Sequence, residues 1–229
     1  MKYIKILLLS ILSIGIIGCG STSESVSETP DTPGTPSHTL TRVACVGDSI
    51  TEGTGLSNPG QDSYPAQLST IVGQDWDVRN FGKKSATLMK SGSLPYWNTS
   101  PFVPSHEFNP DVVIIMLGTN DAKPGNWTNN STFVSDYTAM IQSYKNLPSQ
   151  PIVYVCYPPP VYAVVAGITD ARIKNEVIPK IAQVASENGV RVIDIYSALS
   201  NKKALFPDNV HPNKEGARQL AQTVYQTIY

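Results

Sequence analysis

Three histidines occur in the 229 residues, at His38, His106 and His211. His211 follows Asp208 by three positions in the run Asp208-Asn209-Val210-His211-Pro212. At that spacing a short turn can bring the carboxylate to the imidazole Nδ1 while Nε2 faces outward. A base oriented in this way can take a proton from a hydroxyl. Ser49, in Gly47-Asp48-Ser49-Ile50-Thr51, is a candidate for that hydroxyl. Acyl transfer to water also needs donors aimed at the place where an oxyanion develops. The candidates are the backbone N–H groups of Ser49 and of Gly82 in Asn80-Phe81-Gly82, and the side-chain amide of Asn120 in Gly118-Thr119-Asn120-Asp121. Each feature is weak alone, because a Ser in a Gly-containing loop is usually a turn and an Asn after a strand usually caps or turns the chain. Their joint placement carries the information.

Short apolar runs rich in Val and Ile precede these residues. Arg42 to Val46, Trp76 to Asn80, Val112 to Leu117, Ile152 to Cys156 and Val190 to Ile195 are bounded by Gly, Pro, Asp or Asn and predict strands buried on both faces. Between them the apolar period lengthens. Thr132 to Asn146, with Ser131 as the expected N-cap, places Phe133, Val134, Tyr137, Met140, Ile141 and Tyr144 on one helical face. Asp170 to Asn188 repeats the pattern and ends at Gly189, and Asn213 to about Ile228 supplies a last helix. Alternating strands and helices predict a five-stranded parallel sheet wrapped on both faces by right-handed crossovers, with the site at the carboxyl ends of the strands. Ser49, Gly82 and Asn120 all follow such ends.

In combination the blocks resemble the SGNH hydrolases, also called the GDSL esterase family. GDSIT at Gly47 to Thr51 is similar to the first block, with Ser49 matching the nucleophile. Gly82 in NFG is similar to the second block, Asn120 in GTND to the third, and Asp208 with His211 in DxxH to the fifth. These blocks stand in order across residues 47–211. The resemblance implies a flavodoxin-like three-layer α/β/α sandwich, no cofactor, and ester hydrolysis through an acyl-enzyme on Ser49. GxSxG is absent, which excludes the sharp nucleophile elbow of the α/β-hydrolases. No HExxH or CxxC spacing indicates a metal, and no GK[ST] supports a phosphate loop at Gly47 to Gly55.

The N-terminal segment has a different composition. Lys2 and Lys5 precede the 13-residue apolar run Ile6 to Gly18, which has the layout of an export signal. Ile16-Ile17-Gly18-Cys19 resembles the bacterial lipoprotein box, which implies cleavage before Cys19 and its lipidation. Residues 19–39 are rich in Ser, Thr, Pro and acidic side chains and are expected to form a disordered tether. Residues 40–229 are expected to form a single catalytic domain. The expected location is the bacterial cell envelope, with the membrane engaged through a lipid on Cys19.

Of the 17 basic and 18 acidic residues, 15 of each lie from Leu40 onward. A neutral domain is a poor candidate for tracking a phosphate backbone, so nucleic acid is not an expected partner. Cys45 and Cys156 lie inside strands and are expected to be buried thiols. Asn98, Asn126, Asn129 and Asn130 match the glycosylation acceptor pattern but are read as loop polarity.

For the substrate, Tyr96, Trp97 and Trp127 are interleaved with amides and hydroxyls in two long loops, which suits stacking on sugar rings. Trp97, Trp127 and His106 are therefore candidate substrate contacts, against the alternative that these rings pack the loops. The expected activity is serine-dependent hydrolysis of short acyl esters on carbohydrate, and many family members that resemble this chain are carbohydrate O-acetylesterases. Two alternatives stay open: a lipid or thioester acylhydrolase, and a non-catalytic glycan-binding lipoprotein.

Overall fold

The computed structural model describes residues 40–229. The expected export signal over 1–18, the lipidated Cys19 and the tether over 19–39 lie outside the described residues. Five strands, β1 (Thr41–Gly47), β2 (Trp76–Gly82), β3 (Val112–Met116), β4 (Ile152–Tyr157) and β5 (Arg191–Asp194), form one parallel sheet in the order β2-β1-β3-β4-β5. The crossover direction reverses between β1 and β3. This is the doubly wound order whose ligand crevice opens at that reversal, outside the carboxyl ends of the strands.

The helices that carry Ser49 and cover the two faces of the sheet include α1 (Ser49–Glu52), α2 (Tyr64–Val72), α3 (Phe133–Lys145), α4 (Ile178–Asn188) and α5 (Lys214–Ile228). Strand alternation divides the core into two layers. Val43 and Cys45 of β1 face one way, with Ile114, Cys156 and Ile193, against Tyr64 and Leu68 of α2 and Leu220, Ala221 and Val224 of α5. Ala44 and Val46 face the other way, with Val113, Ile115 and Val155, against Tyr137, Met140 and Ile141 of α3 and Ile181 and Val184 of α4. Cys45 and Cys156 are buried free thiols, and burial pushes Cys45 up to about 12.

The structure differs from the sequence expectation at four places. Only the inner strands are buried on both faces, since β2 and β5 are the sheet edges and expose Arg79, Asn80, Arg191 and Asp194. Ser131 is not a helix cap: it lies in a single 3₁₀ turn, Asn130–Thr132, and α3 starts at Phe133. The last strand stops at Asp194 because that carboxylate accepts the Ser197 N–H at 2.9 Å and starts a short helix, Ile195–Leu199. The span from Asp170 to Asn188 is not one regular helix. Ile173–Val177 is wound as a π-helix, with the Ile178 N–H reaching Ile173 O. Pro179, in the first turn of α4, has no N–H to continue a regular ladder and would crowd the carbonyl four residues earlier, and the wider turn accommodates both. Gly189 closes α4 in the left-handed conformation, as expected, at φ 59°.

Candidate active site

The turn from β1 into α1 presents Ser49. Asp48 caps the short helix, its Oδ1 accepting the Ile50 N–H at 3.0 Å, and this fixes Ser49 at the first helical position. Gly47 is required there: a Cβ would lie 2.0 Å from Thr51 Oγ1 and 2.8 Å from the Met116 carbonyl. Much later in the chain, Asp208 Oδ1 accepts the N–H groups of Val210 at 3.0 Å and His211 at 2.7 Å, closing a tight turn. Asn209 takes a left-handed φ of 74°, which Asn tolerates better than most residues. Pro212 and the α5 cap follow, with Asn213 Oδ1 accepting the Gly216 N–H at 3.0 Å.

These two turns bring three side chains into line. His211 Nε2 lies 2.9 Å from Ser49 Oγ, and His211 Nδ1 lies 2.6 Å from Asp208 Oδ2. Burial pushes the Asp208 carboxyl up, but the His211 side chain and the two backbone N–H groups outweigh it and hold it below the usual carboxylate range. Asp208 therefore stays ionised and accepts from Nδ1–H. That selects the tautomer with Nε2 free to accept the Ser49 proton.

Beside Ser49 is a cavity of about 150 Å³ lined by Lys84, Ser85, Thr119, Asn120, Lys123 and His211, with Val165, Ala166, Ile168 and Val210 as its apolar wall. Asn120 Nδ2 donates to the Ala86 carbonyl at 3.1 Å, and the Asn120 carbonyl accepts from Asn126 Nδ2 at 2.8 Å. Behind it, Asp121 is fully buried and accepts the N–H groups of Leu88 at 2.9 Å and Met89 at 2.8 Å, so the loop after β2 is tied to the end of β3. Burial, helped by the nearby Asp48, raises Asp121 to about 7 against the pull of those N–H groups. Asp48 is likewise raised to about 6 by burial, in spite of the Ile50 N–H, His211, Thr119 and Lys123. A pair of desolvated, mutually repelling carboxyl groups thus lies next to the Ser49 turn.

Of the residues expected at the site, Ser49, His211, Asp208 and Asn120 come together, and Gly82 does not join them as a donor. Its N–H is held by Asn80 Oδ1 at 2.9 Å, and it does not line the cavity. Gly82 serves packing instead: a Cβ would stand 2.2 Å from the Glu52 backbone nitrogen, so β2 could not approach α1. Three residues further on, Ser85 lines the cavity at a left-handed φ of 67°, and its N–H has no protein acceptor among the described residues. Sequence reasoning passed over Ser85 because an L-residue gives no sign of positive φ, and a glycine nearby drew the assignment.

Trp97, Trp127 and His106 also lie outside the cavity. Trp97 donates to the Leu88 carbonyl at 3.1 Å and packs on Phe102. Trp127 is buried against Phe133, with its indole N–H on Glu176. His106 stacks on Tyr144, with Nδ1 2.9 Å from the Phe102 carbonyl and Nε2 3.0 Å from Ser143 Oγ, and burial lowers its pKa. All three brace loops. Their alternation with polar residues reflects amphipathic packing, which spacing alone does not separate from a ligand surface.

The model of the GDSL-like lipase/acylhydrolase family matches residues 45–219. An acetylxylan esterase of Xylanibacter ruminicola is 35% identical over 205 residues, which cover 82% of this chain and 43% of that protein, so the chain spans less than half the length of this relative. Among solved structures, a carbohydrate acetylesterase from Sinorhizobium meliloti aligns with a TM-score of 0.69 at 19% identity, covering 82% of this chain and 97% of that one. The M. smegmatis aryl esterase aligns with a TM-score of 0.68 at 20% identity, covering 82% and 98%. The sheet order, the strand-end placement of the blocks and the matched span agree: the chain belongs to the GDSL-like lipase/acylhydrolase family.

Proposed function

We propose that the protein is a serine esterase that removes short acyl groups, acetyl above all, from carbohydrate through an acyl-enzyme on Ser49. The observation that carries this reading is the Ser49–His211–Asp208 relay, with separations of 2.9 and 2.6 Å, beside a cavity of about 150 Å³. At about 30 Å³ per water, that space holds roughly five water molecules. A space of that size suits an acetyl group better than a buried fatty acyl chain, which weighs against the lipid acylhydrolase alternative.

In this reading His211 Nε2 takes the Ser49 proton as Oγ attacks the ester carbonyl. Asp208 stabilises the imidazolium that forms. The oxyanion receives the N–H groups of Ser49 and Ser85 and the second amide N–H of Asn120. Collapse of the tetrahedral adduct breaks the bond to the sugar oxygen, which takes the proton from His211. A water molecule, deprotonated by the same imidazole, then releases the acid and restores Ser49. The resemblance of the chain to an acetylxylan esterase supports carbohydrate as the alcohol component. Lipid anchoring at Cys19 in a bacterial envelope is part of the same proposal and rests on the sequence of the first 39 residues. Loss of fatty-acid labelling in Cys19→Ala tests it.

The central test is hydrolysis of p-nitrophenyl esters of increasing chain length together with acetate release from acetylated polysaccharides. Activity that collapses beyond butyrate, a phosphonate adduct on Ser49 and acetate release from a glycan are expected. A maximum at long chains would return the lipid reading. No turnover and no adduct would leave a non-catalytic glycan-binding protein.

A further inference from the structure

A larger cavity, about 740 Å³, lies at the same end of the sheet, past the carboxyl ends of β4 and β5. It shares no lining residue with the catalytic cavity, and Tyr157 and the run Pro160 to Tyr162 form part of its wall. The segment from residue 158 to 170 borders both spaces: Val165, Ala166 and Ile168 line the catalytic cavity, and Val161, Tyr162 and Asp170 line the larger one. The Tyr162 N–H donates to the Asn209 carbonyl at 2.9 Å, inside the turn that carries Asp208 and His211. The two cavities are therefore joined by one short, hydrogen-bonded wall.

Three tyrosines supply the aromatic surface, and two of them are held rigidly by the protein. The Tyr196 hydroxyl donates to Asp170 Oδ2 at 2.8 Å, and Asp170 Oδ1 accepts the Val161 N–H at 3.1 Å. The Tyr162 hydroxyl donates to the Leu199 carbonyl and accepts the Lys202 N–H at 2.8 Å. Tyr157, half-buried at the end of β4, has no such hydroxyl partner among the described residues. The polar rim includes Asp194, Lys174 and Asn201. Lys174 is carried there by the π-helical segment, a local distortion often found at functional sites.

Fixed aromatic faces with hydroxyl, amide and carboxylate groups around them match a pyranose, which has apolar faces and a hydroxyl-bearing edge. Two carboxylates against one ammonium disfavour an anionic ligand. The volume lies within the usual range for ligand clefts, about 300–1,000 Å³, whereas the catalytic cavity has room for little beyond the acyl group. We propose that this cavity is a glycan subsite, which takes uncharged pyranose rings of the same chain whose ester lies at Ser49. The proposal rests on the carbohydrate-ester reading above and locates where the rest of the polymer is held.

Paired kinetics on p-nitrophenyl acetate and acetylated xylan test it, using the whole protein and the variants Tyr157→Ala, Tyr157→Phe and Lys174→Ala. Tyr157→Ala is expected to raise KM for acetylated xylan about tenfold, the equivalent of about 1.4 kcal/mol of binding. Tyr157→Phe keeps the ring and is expected to stay near wild type, and Lys174→Ala to raise KM by a smaller factor. All three are expected to turn over p-nitrophenyl acetate at the wild-type rate, which also reports an intact fold. Wild-type release of acetate from xylan with KM unchanged in Tyr157→Ala and Lys174→Ala would overturn the subsite and leave the esterase reading standing. Should Tyr157→Ala misfold, the unchanged KM of Lys174→Ala alone would overturn it. Wild-type activity on p-nitrophenyl acetate with no acetate release from any acetylated polysaccharide would overturn both.

Discussion

Asn120 commits one amide N–H to the Ala86 carbonyl at 3.1 Å, and its second has no protein acceptor among the described residues. Asn120→Ala is therefore expected to lower kcat by roughly 10²–10³, the usual loss for one oxyanion donor, beyond the about 1 kcal/mol of stability that the lost Ala86 hydrogen bond costs. Gly82→Ala should behave in the opposite way. Its methyl would meet the Glu52 backbone at 2.2 Å and displace α1, so stability falls by about 1–3 kcal/mol, as in other overpacked sites, and activity falls with it. Denaturant unfolding of the two variants separates a lost donor from a lost fit. Ser85→Gly keeps the N–H and relieves the left-handed φ of 67°, so activity is expected to persist at the wild-type level. Much of the site was legible at this scale. The meeting of Ser49, Asp208, His211 and Asn120 is readable because proton transfer and oxyanion binding each require particular side chains at strand ends and short spacings. Ser85 is not, because its contribution is a main-chain N–H and a dihedral angle, and neither is written in a residue type.

The loop between β2 and the 3₁₀ turn at Tyr96–Asn98 has little secondary structure of its own, yet it carries Ser85 into the cavity. Asp121 holds it through the Leu88 and Met89 N–H groups, Asn126 Oδ1 accepts the Ser93 N–H at 2.9 Å, and the Tyr96 hydroxyl donates to the Phe81 carbonyl at 2.7 Å. Positioning here is an element-level property: no single contact touches the substrate. Asp121→Ala removes both acceptors together, so amide exchange at Leu88 and Met89 should quicken by at least tenfold, the equivalent of losing about 1.4 kcal/mol of protection. kcat should fall even though Ser49, His211 and Asp208 are untouched. Wild-type exchange at those two amides would show that the loop is held by other contacts. The inner strands are readable from composition because each carries an unbroken apolar run, over residues 43–46, 112–116 and 152–156. The π-helical turn before Pro179 was not, because apolar spacing records which face is buried and says nothing of how the backbone ladder accommodates a missing N–H.

Over the whole domain, 15 acidic and 15 basic residues balance, but the balance does not extend to each site. Asp48, raised to about 6, and Asp121, raised to about 7, are charged only at a cost to the folded state. For such groups the native state binds more protons than the unfolded chain between about pH 4 and pH 7, so stability falls as pH rises through that window. Asp208 works in the other direction: its carboxyl is held below the usual range, so its stabilisation is present at neutral pH and is lost only in stronger acid, as pH falls through its folded value. The buried pair therefore contributes most to stability in mild acid, whereas His106, lowered by burial, opposes it there, because below about pH 6.5 the unfolded chain takes up the proton that the folded imidazole resists. Asp48→Asn retains an oxygen acceptor for the Ile50 N–H and removes the ionisation. Chemical unfolding of this variant from pH 4 to pH 8 should give a flatter profile than wild type, and the difference should grow most between about pH 4 and pH 6. A profile for Asp48→Asn that runs parallel to wild type from pH 4 to pH 6 would overturn the raised Asp48 carboxyl.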